Sequence, residues 1–179
     1  KSLALTVRKS DGQKKVVQLV KTEIDVDDNV ITSFVLEGDK KVGYINLPSF
    51  YTDFESDDAP GCANDVAKEL IKLKREGVDG IILDLRYNGG GSMREAQDLA
   101  GIFINQGALG MSRYRDELPS TLKDLNRGTM YNGPLTILVN GYSASASEFV
   151  AAAIQDHHRG IVVGDTTFGK ATGQQILPL

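Results

Sequence analysis

The stretch GYSASASEFVAAAIQ, residues 141–155, sets serines on alternate positions, Ser143, Ser145 and Ser147, ahead of an alanine-rich segment. A serine there either caps a helix or, given a base to take its proton, attacks a carbonyl. Ser147 with Glu148 behind it suits a helix start. Ser145 lies on the turn between an apolar run and the helix, where a hydroxyl is exposed and backbone amides, that of Ala146 among them, face a developing oxyanion. The GxSxG elbow of the α/β-hydrolases is missing.

A second candidate loop is NGGGS, residues 88–92. Consecutive glycines let a backbone approach a ligand closely, and helix N-terminal amides then face it. The dinucleotide fingerprint breaks at Arg94 and no GK[ST] follows at the phosphate-loop distance. What remains is an anion or oxyanion site, beside the plainer alternative of a flexible turn.

The base must come from few residues. The chain has 2 histidines, His157 and His158, at least twelve residues beyond Ser145 on the same predicted helix, or about 18 Å at 1.5 Å per residue. Neither reaches the hydroxyl, and a helix C-terminus is where a cationic ring is favoured. This disfavours a Ser-His-Asp triad. Lys170 is the other candidate. A lysine acts as a base when burial disfavours its ammonium form, and Lys170 follows Phe168 and Gly169 on a turn expected to offer an apolar pocket.

Elements that could position these residues are legible in the pattern. Leu3, Leu5 and Val7 alternate, a turn follows at Ser10, Asp11 and Gly12, and apolar residues resume from Val16, which predicts a hairpin. An acidic linker is expected at 25–29, then strands at 30–36 and 42–47. Val66, Leu70 and Leu73 predict an amphipathic helix over 64–76, closed by Gly77. Residues 80–86 and 134–140 read as strands buried on both faces, and 161–165 as another. The spacing of Ser92 and Glu95 predicts a capping box opening a second helix, and a third is expected near 147–157. Residues 106–133 show no periodicity and are expected to wander over the surface. Strands alternating with helices predict a mainly parallel α/β layer from about residue 60, with loops 88–92, 141–145 and 165–170 converging beyond the strands' carboxyl ends.

Composition narrows the partners. With 20 basic and 24 acidic side chains, a net charge of -4 and no run of five or six like charges, nothing marks a phosphate backbone as partner, so nucleic acid is not expected. The lone Cys62 forms no internal disulfide and sits at an expected loop or helix start. No apolar stretch reaches the roughly 18 residues of a membrane span. The chain begins KSLALTVRKS, without an initiator Met, and a fragment or processed form is expected.

GIILDLRYNGGGS, GYSASASEFVAAAIQD and VVGDTTFGKATGQQ, in this order and spacing, resemble the C-terminal processing or tail-specific proteases, serine endopeptidases with a Ser/Lys dyad. The resemblance covers residues 42–179. It implies Ser145 as nucleophile, 25 residues before the general base Lys170, with Gln174 orienting the amine. It implies an oxyanion hole from Gly90 or Gly91 together with Ala146, and supporting positions at Glu148, Asp156 and Thr167. Ala171 stands where many relatives have glycine. The implied fold is a crotonase/ClpP-like α/β protease core with a β-rich N-terminal part. Residues 1–24 would be the end of a PDZ-type domain and its exit strand, and 25–179 a catalytic domain continuing past the C-terminus. Further implications are protein substrates with apolar C-terminal ends, an adaptor or self-association, no cofactor or metal, and a bacterial periplasm or cell envelope. Two other readings are a catalytically silent peptide-binding relative and a crotonase-like acyl-CoA enzyme.

Overall fold

A computed structural model describes residues 2–20, 31–52, 61–124 and 128–174. Its centre is a five-stranded sheet. β3 (Thr32–Glu37) and β4 (Lys41–Asn46) pair antiparallel, and β5 (Gly80–Asp84), β8 (Leu135–Val139) and β9 (Ile161–Gly164) follow in parallel, giving the order β3-β4-β5-β8-β9. Each parallel step is made through a helix: α1 (Cys62–Arg75), α2 (Met93–Phe103) and α3 (Ala146–Asp156). Parallel neighbours need such crossovers, which is why strand and helix patterns alternate in the sequence.

Two small hairpins complete the described chain. β1 (Ser2–Arg8) and β2 (Lys14–Val20) form the first, as the alternation predicts. Its side chains are almost all exposed. β6 (Ala108–Ser112) and β7 (Ser120–Lys123) form the second, inside the stretch expected to be irregular. The cause is packing: a Cβ on Gly110 would meet the Phe149 ring of α3, so only a glycine lets this strand lie against the helix. Tertiary contact decides the conformation here, where local propensity does not. The linker expected at 25–29 lies outside the described residues.

One core unites the sheet and helices. Ile45, Leu47, Leu83, Leu85 and Ile137 of the sheet and its edge meet Val66, Leu70, Leu99, Val150 and Ile154 of the helices, all fully buried. Along β4 and β8, buried residues alternate with half-buried ones. Residues 134–140 are therefore covered on one face rather than on both, and Ile82 of β5 is likewise only half-buried. β9 departs further, because as the last strand of the sheet it leaves Ile161 67% and Val163 47% exposed.

Two helix starts also differ from expectation. Ser92 does cap α2, accepting from the Glu95 N–H at 3.3 Å. The Glu95 carboxylate turns instead to the N-terminus of α1, where the Ala63 N–H donates to it at 2.8 Å. Negative charge at a helix N-terminus is favourable, so one buried carboxylate ties the starts of two helices together. Cys62, the first residue of α1, is wholly buried, and that burial together with Glu95 pushes its thiol up.

Candidate active site

Because β5, β8 and β9 run parallel as neighbours, the loops after them leave from one edge. The three predicted loops do converge, and hydrogen bonds stitch the first two together. Ser143 Oγ donates to Leu85 O at 2.7 Å and accepts from the Asn140 N–H at 3.0 Å. Ser147 Oγ donates to Asn88 O at 2.8 Å, and the Ala144 N–H donates to the same oxygen at 3.0 Å. Both serines are fully buried. Buried hydroxyls must be paired, and these two are consumed by the scaffold.

Ser145 is different: half-buried, it is the N-cap of α3, with φ 58 and ψ -113. Ser147, expected to open the helix, is its second residue. The cap falls on Ser145 because Glu148, its third helical residue, reaches back to the Ser145 N–H at 2.7 Å. A non-glycine residue at positive φ is uncommon and is held by its surroundings.

The glycine loop lies against this turn. Gly90 has φ 101, and a Cβ on it would come within 2.8 Å of both Ala144 O and the Ser145 Cβ. Gly91 has φ 143 and would press a Cβ to 2.3 Å from Phe50 O. Side chains at either place would be strained and would clash, so Gly90 lets the loop touch the serine turn and Gly91 lets it lie along Phe50. Asn88, fully buried, anchors the loop: its Nδ2 donates to Leu47 O at 2.9 Å and its Oδ1 accepts from the Gly90 N–H at 2.9 Å. The amides of Gly91 and Ala146 carry no hydrogen bond to another described residue.

Glu148 brings in the third loop. Its Oε2 accepts from the Lys170 N–H at 2.8 Å as well as from Ser145, and its Oε1 accepts from the Gly169 N–H at 2.6 Å. Burial works to raise its pKa, but the N–H groups of Gly169, Ser145 and Lys170 and the Thr167 side chain outweigh it and hold the carboxyl below the usual range. Thr167 thus reaches the site through Glu148. The Phe168 N–H adds a bond to Ser143 O at 3.0 Å. Lys170 is half-buried and its Nζ donates to Gln174 Oε1 at 3.2 Å. The expected apolar pocket is not built by Phe168, which is 66% exposed because it follows the edge strand.

Eight of the nine expected site residues therefore gather at this edge. Asp156 does not: it is exposed at the far end of α3, about 15 Å along the axis from the start. His157 follows it, its Nε2 2.8 Å from Ala108 O.

Three residues escape the sequence reading. Asn88 and Asn140 are hidden among loop residues, although an amide side chain beside glycines is a signal for a loop anchor. Asp84, buried at the end of β5, is gripped by Arg86 through Nε and Nη2 at 2.7–3.0 Å and by the Tyr44 hydroxyl. Burial would raise its pKa, but these partners hold it below the usual carboxylate range. The signal available was a carboxylate at the end of an apolar strand, two residues before an arginine. Among the described residues no cluster of three or more His, Cys, Asp or Glu side chains is placed to hold a metal ion.

The mixed α/β sheet that carries this turn is a fold shared with solved structures of proteases. The pattern of Peptidase family S41 matches residues 41–179, and the chain belongs to that family. It is 38% identical over 165 residues to the tail-specific protease of Haemophilus influenzae, covering 92% of this chain and 23% of that protein. It is 32% identical over 179 residues to the carboxy-terminal-processing protease of Bartonella bacilliformis, covering 99% of this chain and 39% of that protein. The chain thus spans less than half the length of these relatives. In fold it is similar to the photosystem II D1 C-terminal processing protease, with a TM-score of 0.64 at 24% identity over 94% of this chain and 44% of that one.

Proposed function

We propose that this chain carries the catalytic machinery of a serine endopeptidase working through a Ser145/Lys170 dyad. The observation that carries the reading is Glu148, whose one oxygen Oε2 accepts from the backbones of both Ser145 and Lys170. The backbones of two residues 25 apart in sequence thereby meet at one oxygen, which supports the pairing. Lys170 Nζ, in its neutral form, takes the Ser145 hydroxyl proton as Oγ bonds to the scissile carbonyl carbon. The carbonyl oxygen becomes an oxyanion, for which the unengaged amides of Gly91 and Ala146 are the donors at hand. Gly90 serves instead to let the loop approach, its own N–H being taken by Asn88. The C–N bond breaks as the lysine proton passes to the leaving amine, giving an ester on Ser145. Water attacks that ester, again losing its proton to Lys170; the acyl–Oγ bond then breaks as that proton passes to Ser145 Oγ, and the acid product leaves with both residues restored. Gln174 orients the amine.

The names of the relatives support substrates taken at their C-terminal ends. Apolar ends, an adaptor or self-association, and a periplasmic or cell-envelope setting belong to the same proposal. So do a crotonase/ClpP-like ancestry of the core and a division into a PDZ-type remnant over 1–24 and a catalytic domain over 25–179. The test is digestion of an unfolded protein with an apolar C-terminus by the wild type, Ser145→Ala and Lys170→Ala between pH 6 and 10. Cleavage is expected to rise with pH, as an amine base requires, and to vanish in both variants. Cleavage surviving Ser145→Ala would exclude this nucleophile, and peptide binding without any cleavage by the wild type would favour the silent relative.

A further inference from the structure

Two exposed tyrosines lie on the two loops of this site. Tyr87 is 72% and Tyr142 68% exposed, yet their rings stack on one another with centroids 5.5 Å apart and planes 22° from parallel. Tyr87 lies three residues before Gly90 and Tyr142 three before Ser145, so each loop of the site presents one ring. Three extended residues span about 10 Å.

The local backbone does not favour this arrangement. The Asn88 N–H bonds to Leu85 O at 3.2 Å, closing a turn whose third residue is Tyr87 with φ 64. That position of a turn favours glycine, and an aromatic residue there is strained. A single carboxamide holds the pair in place: Asn140 Oδ1 accepts from the Tyr87 N–H and from the Tyr142 N–H, both at 3.0 Å. Strain maintained by a dedicated clamp, with the rings left in solvent, points from structure toward a binding role. Tyrosine suits it, because the ring offers a broad rigid apolar face with few rotamers to freeze and the hydroxyl keeps that face soluble.

We infer that the Tyr87–Tyr142 stack is a specificity platform that receives a bulky apolar or aromatic side chain of the substrate, within about three residues of the scissile bond. The inference rests on the proteolytic reading for its location, and its test has an arm that does not. Synthetic decapeptides carry phenylalanine or alanine in turn at each of the three positions on either side of the cleaved bond. For the wild type, the ratio of kcat/KM for phenylalanine over alanine peptides exceeds one at one such position. In Tyr142→Ala and in Tyr87→Gly that ratio falls about five- to tenfold, the scale of one lost aromatic contact. A ratio unchanged in both variants overturns the platform, as does an equal loss on every peptide. The second arm measures Kd for the same peptides, fluorescently labelled, on the Ser145→Ala protein with and without Tyr142→Ala. If the wild type cuts nothing, the proteolytic reading fails while this arm still decides: a preference for the phenylalanine peptide lost with Tyr142 supports the platform, and equal Kd values overturn it. Melting closes the remaining gap. Glycine takes φ 64 freely, so Tyr87→Gly keeps its Tm; a lowered Tm with selectivity intact marks the stack as structural only and overturns the inference.

Discussion

The serine and lysine sides of the site are built in different ways. On the serine side, Ser143, Ser147 and Asn88 are wholly buried, and the loop after β5 shares three interior hydrogen bonds with the turn into α3, while Asn88 is held further by Leu47 O and the Gly90 N–H. On the lysine side, the loop follows an edge strand, Phe168 and Gly169 are exposed, and Glu148 is the main tether. Buried polar networks are rigid when satisfied and expensive when broken, whereas a single exposed loop moves at little cost. Ser145 and the glycine loop are therefore preorganised by the core, and Lys170 is positioned mainly by one carboxylate.

Breaking that tether has the largest expected effect. Glu148→Gln replaces an acceptor of several N–H bonds by an amide that satisfies fewer. A displacement of about 1 Å costs on the order of 100-fold in rate, so kcat is expected to fall by about that factor while the fold persists, which far-UV circular dichroism alongside the assay checks. The same residue gives a pH signature. Its folded pKa lies below the ordinary value of about 4.3, so its stabilisation is complete above that value and is lost as the pH falls through the lower folded pKa. Melting curves from pH 7 to 3 should show the gap between wild type and Glu148→Gln narrowing below about pH 4.

Asn88→Ala inverts the pattern by acting on the serine side. Leu47 O and the Gly90 N–H lose a buried partner, and stability is expected to drop by about 1–3 kcal/mol, measured by urea unfolding. Ser143→Ala removes one hydroxyl from the same network and should cost about 1 kcal/mol, with kcat changed less than in Glu148→Gln. Smallest of all is Asp156→Ala. At an exposed helix end away from the loops it should alter stability by less than about 0.5 kcal/mol and leave cleavage within twofold; a large loss would show that α3 transmits something from its far end.

The contrast also explains what the sequence could tell. Regular periodicity exposed the helices, the parallel strands and the three converging loops, because each of those is a local pattern with a physical cause. Sidedness was not legible: β8 reads as a continuous apolar run, and only the sheet order shows which of its faces a helix covers. The β6–β7 hairpin was hidden because Gly110 is chosen for the ring of Phe149, thirty-nine residues away, and not for strand propensity. Among the alternate serines, the pattern raised the right question and left the helix cap on Ser147. What separates Ser145 from its neighbours is Glu148 reaching back one turn, a matter of which carboxylate finds which amide. The resemblance of three motifs to a known family supplied Ser145 and Lys170 as a pair; residues alone left several roles open for each.

The backbone of Ser145 limits what its side chain can be. At φ 58 the β-carbon is crowded by its own backbone, and a Cβ on Gly90 would come within 2.8 Å of it. Threonine would supply the same alcohol and would still be shut out, since a branched β-carbon is poorly tolerated at positive φ. Cysteine, unbranched, escapes that penalty. The position thus selects for slenderness before it selects for an oxygen, and of the two hydroxyl amino acids of aliphatic type it admits one.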